Sequence, residues 1–213
     1  MGANSSSIAE LSDNEYLNRL SGQESIDVQD PFWNGLLSFT FAAPSSASDA
    51  RLLEESVVGI CKNLAKNNLE TGNFGALIRV FFRRASELKA SSQNEEEDAG
   101  GGGGNGDASG AGDALSFNDI FLWQTFNALF IIRTISKYLI EHLSEENVLR
   151  QFDAVSGSVS SSAPSEEQLP VNVAEELLNC LVEIVVDVPV KASTYAIHLE
   201  TLNTLITLLS VQM

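Results

Sequence analysis

Apolar residues recur every three or four positions through most of this chain, which is the period of an amphipathic α-helix. The densest stretch is 120–143, whose first half is apolar on almost every side at 100° per residue. A charged edge follows at Arg133, Lys137 and Glu141, spaced i, i+4, i+8. Because nothing interrupts this segment, we expect it to be the central buried helix of the domain, covered by the others.

Two more long helices are predicted upstream. One runs from Ser48 or Asp49 to about Asn67, and a turn at 71–73 separates it from a second that runs from 74 to about 90. Their expected buried positions are Leu53, Val57, Ile60 and Leu64 in the first, and Phe74, Leu77, Ile78, Phe81, Ala85 and Leu88 in the second. The second helix also carries Arg79, Arg83, Arg84 and Lys89. We interpret these as a solvated face, with contact to anionic lipid or an acidic partner as the alternative.

Shorter helices are predicted around these. Residues 11–20 form one whose N-cap is Ser12, with Glu15 completing a capping box. Asp30 and Pro31 open another, in which Pro31 takes the first helical position. Its apolar stripe is Phe32, Trp33, Leu36 and Leu37. Ser116 is expected to cap the central helix, and a further turn covers 145–152.

The C-terminal part is predicted to be an antiparallel helical hairpin. Asn172 and Glu175 open its first helix, which ends at 187–189 and presents Leu177, Leu178, Leu181, Ile184 and Val185. The second starts near Thr194, and its apolar arc is expected to be buried: Tyr195, His198, Leu199, Leu202, Leu205, Ile206 and Leu209. An apolar helical pattern without a C-cap continues to residue 213, so we expect a fragment of a longer chain.

Helices succeed one another with no run of strand-forming residues, which predicts an all-α fold. We expect antiparallel helical hairpins stacked as an irregular HEAT/armadillo-like α-solenoid. The predicted organisation is a flexible N-terminus (1–10), a helical segment (11–90), the central helix and following turn (116–152) and the hairpin (172–213). Between them, 91–115 is acidic and glycine-rich and 153–171 is serine-rich. Both have the composition of disordered linkers.

Charge and the reactive residue types exclude several functions. The net charge of −17 is the wrong sign for binding nucleic acid through its bulk field. Two cysteines, Cys61 and Cys180, and two histidines, His142 and His198, show no metal-ligand spacing. We expect His198 to be a hydrogen-bonded core residue. No catalytic or phosphate-loop motif occurs, so we expect neither enzyme activity nor a cofactor, a metal or a small-molecule substrate.

One functional motif stands at the N-terminus. Residues 1–6 read Met-Gly-Ala-Asn-Ser-Ser, which matches the N-myristoylation pattern with Gly2 as the acceptor. The transferase requires a glycine amine followed by small, flexible residues, and these supply them. The alternative is coincidence, since roughly one random chain in a hundred matches. Cysteine is absent before Cys61 and basic residues before Arg19, so a second membrane signal must lie elsewhere.

Several segments resemble the N-terminal region of the dymeclin family: MGANSS, NEYLNRLSG at 14–22, DPFWNGLLSF at 30–39, TGNFGALIRVF at 71–81 and IFLWQTFNALFII at 120–132. The acidic, apolar helix that ends in Asp-Val-Pro at 187–189 resembles it too. The resemblance implies a peripheral, myristoylated protein on the cytosolic face of the Golgi, without known catalytic activity. It transfers one functional residue, Gly2.

We therefore expect a Golgi scaffold or adaptor that serves Golgi organisation and vesicle trafficking. Its partners would be the Golgi membrane, through myristate, and Golgi or trafficking proteins, through the helical surface. Two alternatives stay open: an integral membrane protein that spans at 120–143, and a cytosolic helical adaptor that carries no lipid.

Overall fold

A computed structural model describes residues 8–39, 47–100, 117–154 and 172–210. Within these ranges all regular structure is helical, which confirms the all-α part of the predicted fold class, while the solenoid arrangement stays a prediction. The elements are a 3-10 helix Ile8–Asp13, α1 Glu15–Leu20, α2 Phe32–Leu36, α3 Ala47–Thr71, α4 Asn73–Gly100, α5 Phe117–His142, α6 Glu145–Asp153, α7 Val173–Asp187 and α8 Tyr195–Leu209.

The junction of α3 and α4 holds the N-terminal half together. Helix α3 continues past the predicted end at Asn67 to Thr71, and the chain then turns at Gly72, which has a φ of 66°. Only glycine adopts this left-handed conformation without strain. Asn68 and Asn73, on either side of the turn, are fully buried. A buried amide is tolerated only when its hydrogen bonds are made.

The Asn73 side chain makes three of them, to the last residue of α1 and to the segment between α1 and α2. Its Nδ2 donates to the carbonyls of Leu20 (3.0 Å) and Glu24 (2.8 Å), and its Oδ1 accepts from the Ile26 amide (2.9 Å). Asn67 Nδ2 donates to the Ser21 carbonyl. These bonds fix the segment against the α3–α4 junction without any regular structure of its own.

The Asn68 side chain connects the same junction to α6. Its Nδ2 donates to the backbone carbonyl of Gln151 (2.8 Å) and to Gln151 Oε1 (2.9 Å). Its Oδ1 accepts from the Phe74 amide, and Gln151 Nε2 donates to the Ala65 carbonyl. The backbones also approach closely, because a Cβ at Gly75 would lie 2.9 Å from the Ala154 carbonyl oxygen.

Two pairs of helices build the rest of the core. Arg84 of α4 lies 6.0 Å from the ring of Phe121 near the start of α5, while Phe74 at the start of α4 packs against Phe152 of α6. Helices α4 and α5 therefore run antiparallel. Helix α7 packs along α4 and α8 along α5, and α7 contacts α8. The predicted buried faces of α2, α3 and α4 are confirmed residue by residue.

The central helix is α5, as predicted, but it is not covered on every side. Leu129, Phe130 and Ile132 are buried. At its start, however, Ile120 is 39% and Trp123 41% exposed, so all-round burial of the first half is wrong. A polar residue of α5 joins it to another element: Asn127 Nδ2 donates to the carbonyls of Leu37 and Phe39, which attaches the end of α2 to α5.

The predicted N-terminal capping box is also wrong. The 11–20 segment divides into the 3-10 helix and α1, and the cap between them is Asn14. Asn14 Oδ1 accepts from the amides of Tyr16 (3.0 Å) and Leu17 (3.1 Å), which supplies the acceptor expected from Ser12. At α2, Asp30 Oδ1 accepts from the Phe32 amide as predicted, although the helix begins one residue after Pro31.

The linker boundaries need correction at two ends. Helix α4 extends to Gly100 rather than to about 90, because residues 91–99 contain no glycine or proline and several good helix formers. Asp153 ends α6, and Ala154 is its buried C-cap. The rest of both predicted linkers lies outside the described residues, as do Ser116 and most of the predicted flexible N-terminus, 1–7.

Asn73→Ala should lower the free energy of unfolding by about 3 kcal/mol, because it leaves buried backbone groups at residues 20–26 without partners. Asn63→Ala, an exposed position on α3, is the control and should cost under about 0.5 kcal/mol. Urea unfolding of both variants measures the difference. Equal effects would contradict the role of the junction.

Phe130→Ala should cost about 3–5 kcal/mol, since it removes a buried ring that stacks on Phe126. Lys137→Ala on the same helix removes an exposed ion pair with Glu54 and should cost under about 0.5 kcal/mol. Thermal and urea unfolding would test this, and similar losses at both positions would refute the assigned faces of α5.

Candidate functional site

Gly2, the predicted acylation site, lies outside the described residues. The described elements nearest to it in sequence are the 3-10 helix and α1, and these two cover a cavity of about 320 Å³. Helices α2, α3 and α5 form its remaining walls. We call it the N-terminal cavity. Its apolar lining includes Leu11, Leu17, Leu53, Ile60, Ile131 and Ile135.

The polar groups of this lining are mostly satisfied within their own helices. Thr134 Oγ1 donates to the Phe130 carbonyl (2.8 Å), and Ser38 Oγ donates to the Asn34 carbonyl. Cys61 lines the cavity with a buried thiol, and burial raises the pKa of that thiol to about 12. It therefore stays neutral at physiological pH, and the inner wall suits an apolar ligand.

A second groove, of about 600 Å³, lies between α3, α5 and α8 and carries the charged edge predicted for the central helix. Those charged side chains form ion pairs within the protein. Arg133 Nε lies 2.6 Å from Glu200 Oε1, and this carboxylate is almost fully buried. Lys137 pairs with Glu54 and also lies near Glu141. The groove is therefore held by ion pairs between helices.

The basic residues of α4 also serve packing more than solvation. Arg84, largely buried, donates to Glu87 (2.8 Å) and to Asn34 Oδ1 (2.7 Å). Arg83 reaches the Val28 carbonyl. Lys89 pairs with Glu183 of α7, and this hydrogen bond raises the pKa of Lys89 above its usual value. The predicted solvated face is thus wrong for Arg84 and Lys89, which join α4 to its neighbours.

Helix α8 shows the largest departure from the predicted pattern. The face that points into the protein is largely polar: Thr201 and Thr204 are fully buried beside Ile197, and Glu200 pairs with Arg133. Of the predicted apolar arc, His198 is buried and Leu205 packs against the core, whereas the other five residues point outward. We call these exposed residues the outer face of α8: Tyr195, Leu199, Leu202, Ile206 and Leu209.

Helix α7 also leaves apolar side chains exposed. Its Leu177, Leu181 and Ile184 are buried as predicted, but Val185 is exposed, together with Val182 and Val186. Asn172 caps the helix through the Glu175 amide as expected. Large exposed apolar patches mark interaction sites in soluble proteins, and the outer face of α8 is the candidate for one here.

Reactive groups are sparse among the residues described. His198 is buried as predicted, but its Nε2 has no hydrogen-bond partner among the described residues, so the expected hydrogen-bonded core histidine is wrong in that respect. His142 stacks on Tyr138 with ring centroids 4.1 Å apart. Burial raises the pKa of Cys180 to about 12. In the described ranges, no three potential ligand side chains are grouped to bind a metal ion.

A helix that spans a membrane needs about 20 mostly apolar residues in succession. Within the residues described, no helix combines the length and the hydropathy that crossing a bilayer requires. Residues 120–142 instead pack against α4 and α8.

Fold and surfaces together define the class of the molecule, an all-α protein of packed helices that leaves an apolar helix face open. The whole chain, residues 1–213, matches the family profile described as "Dymeclin: Dyggve-Melchior-Clausen syndrome protein". The chain therefore belongs to the dymeclin family, as its sequence segments indicated.

Individual relatives agree with this assignment. The dymeclins of Gallus gallus and Xenopus laevis are each 43% identical over 213 residues, which is all of this chain and 28% of theirs. The dymeclin of Drosophila melanogaster is 35% identical over 240 residues, 31% of its length. The chain thus spans under a third of the curated relatives it matches. No solved structure matches it.

The orientation of α8 can be tested by substitution. The double variant Leu202→Ser/Ile206→Ser should cost less than about 1 kcal/mol, because both side chains are exposed. Thr201→Leu should cost about 1–3 kcal/mol, since it inserts a larger side chain into a fully packed position. Urea unfolding ranks the two, and the reverse order would mean that the apolar face is the buried one.

Proposed function

We propose that this chain is the N-terminal part of a helical scaffold held on the cytosolic face of Golgi membranes by a myristoyl group on Gly2. There it serves Golgi organisation and vesicle trafficking, and it binds other Golgi or trafficking proteins through its helical surface. The observation that carries the proposal is the Met-Gly-x-x-x-Ser motif in a chain of the dymeclin family. The Golgi assignment rests on what the resemblance to that family implies.

The scaffold part of the proposal rests on how the helices pack. Helices α4 and α5 form one antiparallel pair, and α7 and α8 lie against them in the same order, α7 on α4 and α8 on α5. We propose that these pairs are successive units of an irregular HEAT/armadillo-like solenoid. A following pair, from the additional length that the relatives have, would then cover the outer face of α8.

Membrane attachment in this proposal is reversible. One myristoyl chain supplies only about 10⁴ M⁻¹ of membrane affinity, so lasting attachment needs a second signal. Glu15 and the other early acids would repel anionic lipid, and Arg84 and Lys89 are engaged within the fold. We therefore assign the second signal to a Golgi protein bound by the scaffold. No catalytic step, cofactor or small-molecule substrate enters the proposal.

Gly2→Ala should move the protein entirely to the cytosol, because the substitution removes the acceptor glycine. The protein is expressed with a C-terminal fluorescent tag, with Met1 as the initiating residue, and imaged against a Golgi marker. Ala3→Ser, which keeps the motif, is the matched control and should stay on the Golgi. The wild-type signal should also recover rapidly after photobleaching.

Two results would contradict the proposal. A Gly2→Ala variant that remains on the Golgi would place the attachment elsewhere in the chain. An intact mass without the myristoyl increment, for protein made with an N-myristoyltransferase, would favour the cytosolic adaptor that carries no lipid.

A further inference from the structure

We propose that the N-terminal cavity is an acyl-chain site that takes up the myristoyl group of Gly2 while the protein is off the membrane. The inference rests on the proposed acylation of Gly2 and adds to it a site and a means of regulating membrane attachment. Its occupant is the protein's own N-terminal acyl chain.

The chemistry of the cavity suits a saturated chain. Aliphatic side chains from the 3-10 helix, α1, α3 and α5 face the space, and the hydroxyls of Ser38 and Thr134 are bonded to backbone carbonyls four residues earlier in the chain. An apolar cavity of about 150 Å³ already stays dry and binds small hydrocarbons. This one, at about 320 Å³, lies within the range of natural ligand pockets, roughly 300–1,000 Å³.

Chain geometry favours this occupant over others. Leu11 of the 3-10 helix lines the cavity, and the described chain begins three residues earlier, at Ile8. Six residues separate Gly2 from Ile8, and an extended chain of that length spans about 20 Å. From Ile8 to Leu11 the 3-10 helix rises only about 6 Å. The amide of Gly2 can therefore lie at the cavity while its acyl chain enters.

Polar residues of the cavity can accommodate the amide bond that would join the myristoyl group to Gly2. Asn14 and Glu15 line the same cavity as Leu11 and Leu17. Charged and amide groups at the mouth, with aliphatic side chains beyond, match an acyl chain that ends in a peptide bond. The same arrangement disfavours a ligand that is apolar throughout.

Sequestration has a measurable consequence for membrane binding. If the acyl chain lies inside the cavity in about nine molecules of ten, the protein binds vesicles about tenfold more weakly than a protein whose acyl chain is always free. Filling the cavity should release the chain and restore the affinity of a simple myristoyl anchor, about 10⁴ M⁻¹.

The test first measures the mass of the protein co-expressed with an N-myristoyltransferase in ¹³C-myristate. Absence of the acyl group would overturn the proposed function itself, separately from the site. In acylated protein, isotope-filtered nuclear Overhauser contacts should join the acyl chain to the methyls of Ile60, Ile131 and Ile135. Ile184 of α7, which does not line the cavity, is the internal control.

The second arm compares vesicle binding of acylated variants. Ile60→Phe fills the cavity and should raise partitioning onto phosphatidylcholine vesicles about tenfold, whereas Leu69→Phe, exposed on the same helix, should not. Circular dichroism checks folding, and Val57→Phe, which also lines the cavity, replaces Ile60→Phe if that variant unfolds. With Gly2→Ala as background, both substitutions should be without effect.

Two outcomes would overturn the inference and leave the proposed function standing. One is acylated protein with no acyl contacts to the three isoleucines and equal vesicle binding by all variants. The other is a cavity that binds added free myristate in the Gly2→Ala protein but shows no contact with the attached chain.

Discussion

The structure depends most on two buried side-chain amides, those of Asn68 and Asn73, on either side of the turn at Gly72. Each makes three hydrogen bonds in the interior, and between them they fix the chain between α1 and α2, the start of α4 and the end of α6. A buried polar network stabilises a single arrangement only when it is fully satisfied, because a half-satisfied one costs more than an apolar core. Both amides meet that condition.

The direction of α4 is set by this junction, and the later helices follow from it. Helix α5 returns along α4, and charged pairs then join α7 to α4 and α8 to α5. The inward face of α8 is polar at little cost, because Thr201 Oγ1 and Thr204 Oγ1 each donate to a carbonyl of their own helix. Leu199, Leu202, Ile206 and Leu209 remain exposed on its outer face.

Much of the fold follows from periodicity alone. The faces of α2, α3 and α4 were predictable because each buries a single apolar stripe, which the 3.6-residue period identifies. The orientation of α8 was not predictable in this way. An apolar stripe shows that a helix has a packing partner, but it does not show whether that partner lies within these 213 residues. The ion pair of Arg133 with Glu200 spans 67 residues, and nothing local in the sequence indicates it.

Only one part of the candidate site could be predicted from the sequence. Gly2 could be identified because the acylation motif is a short run of adjacent residues. The cavity could not be predicted, because its walls come from five elements that are spread over more than a hundred residues of sequence. The capping error at Ser12 has a similar origin. Two acceptors, Ser12 and Asn14, stand near the start of α1, and the 3-10 helix before it decides in favour of Asn14.

The packed helical pairs leave the outer face of α8 exposed, and we propose that a further helical layer covers it. Carbene labelling tests this most directly when applied to α8 in the 213-residue chain and in a chimera that continues it with the following residues of the Gallus gallus relative. We expect strong labelling of Leu202, Ile206 and Leu209 in the short chain and clear protection in the long one. Equal labelling of these residues in both chains would contradict it.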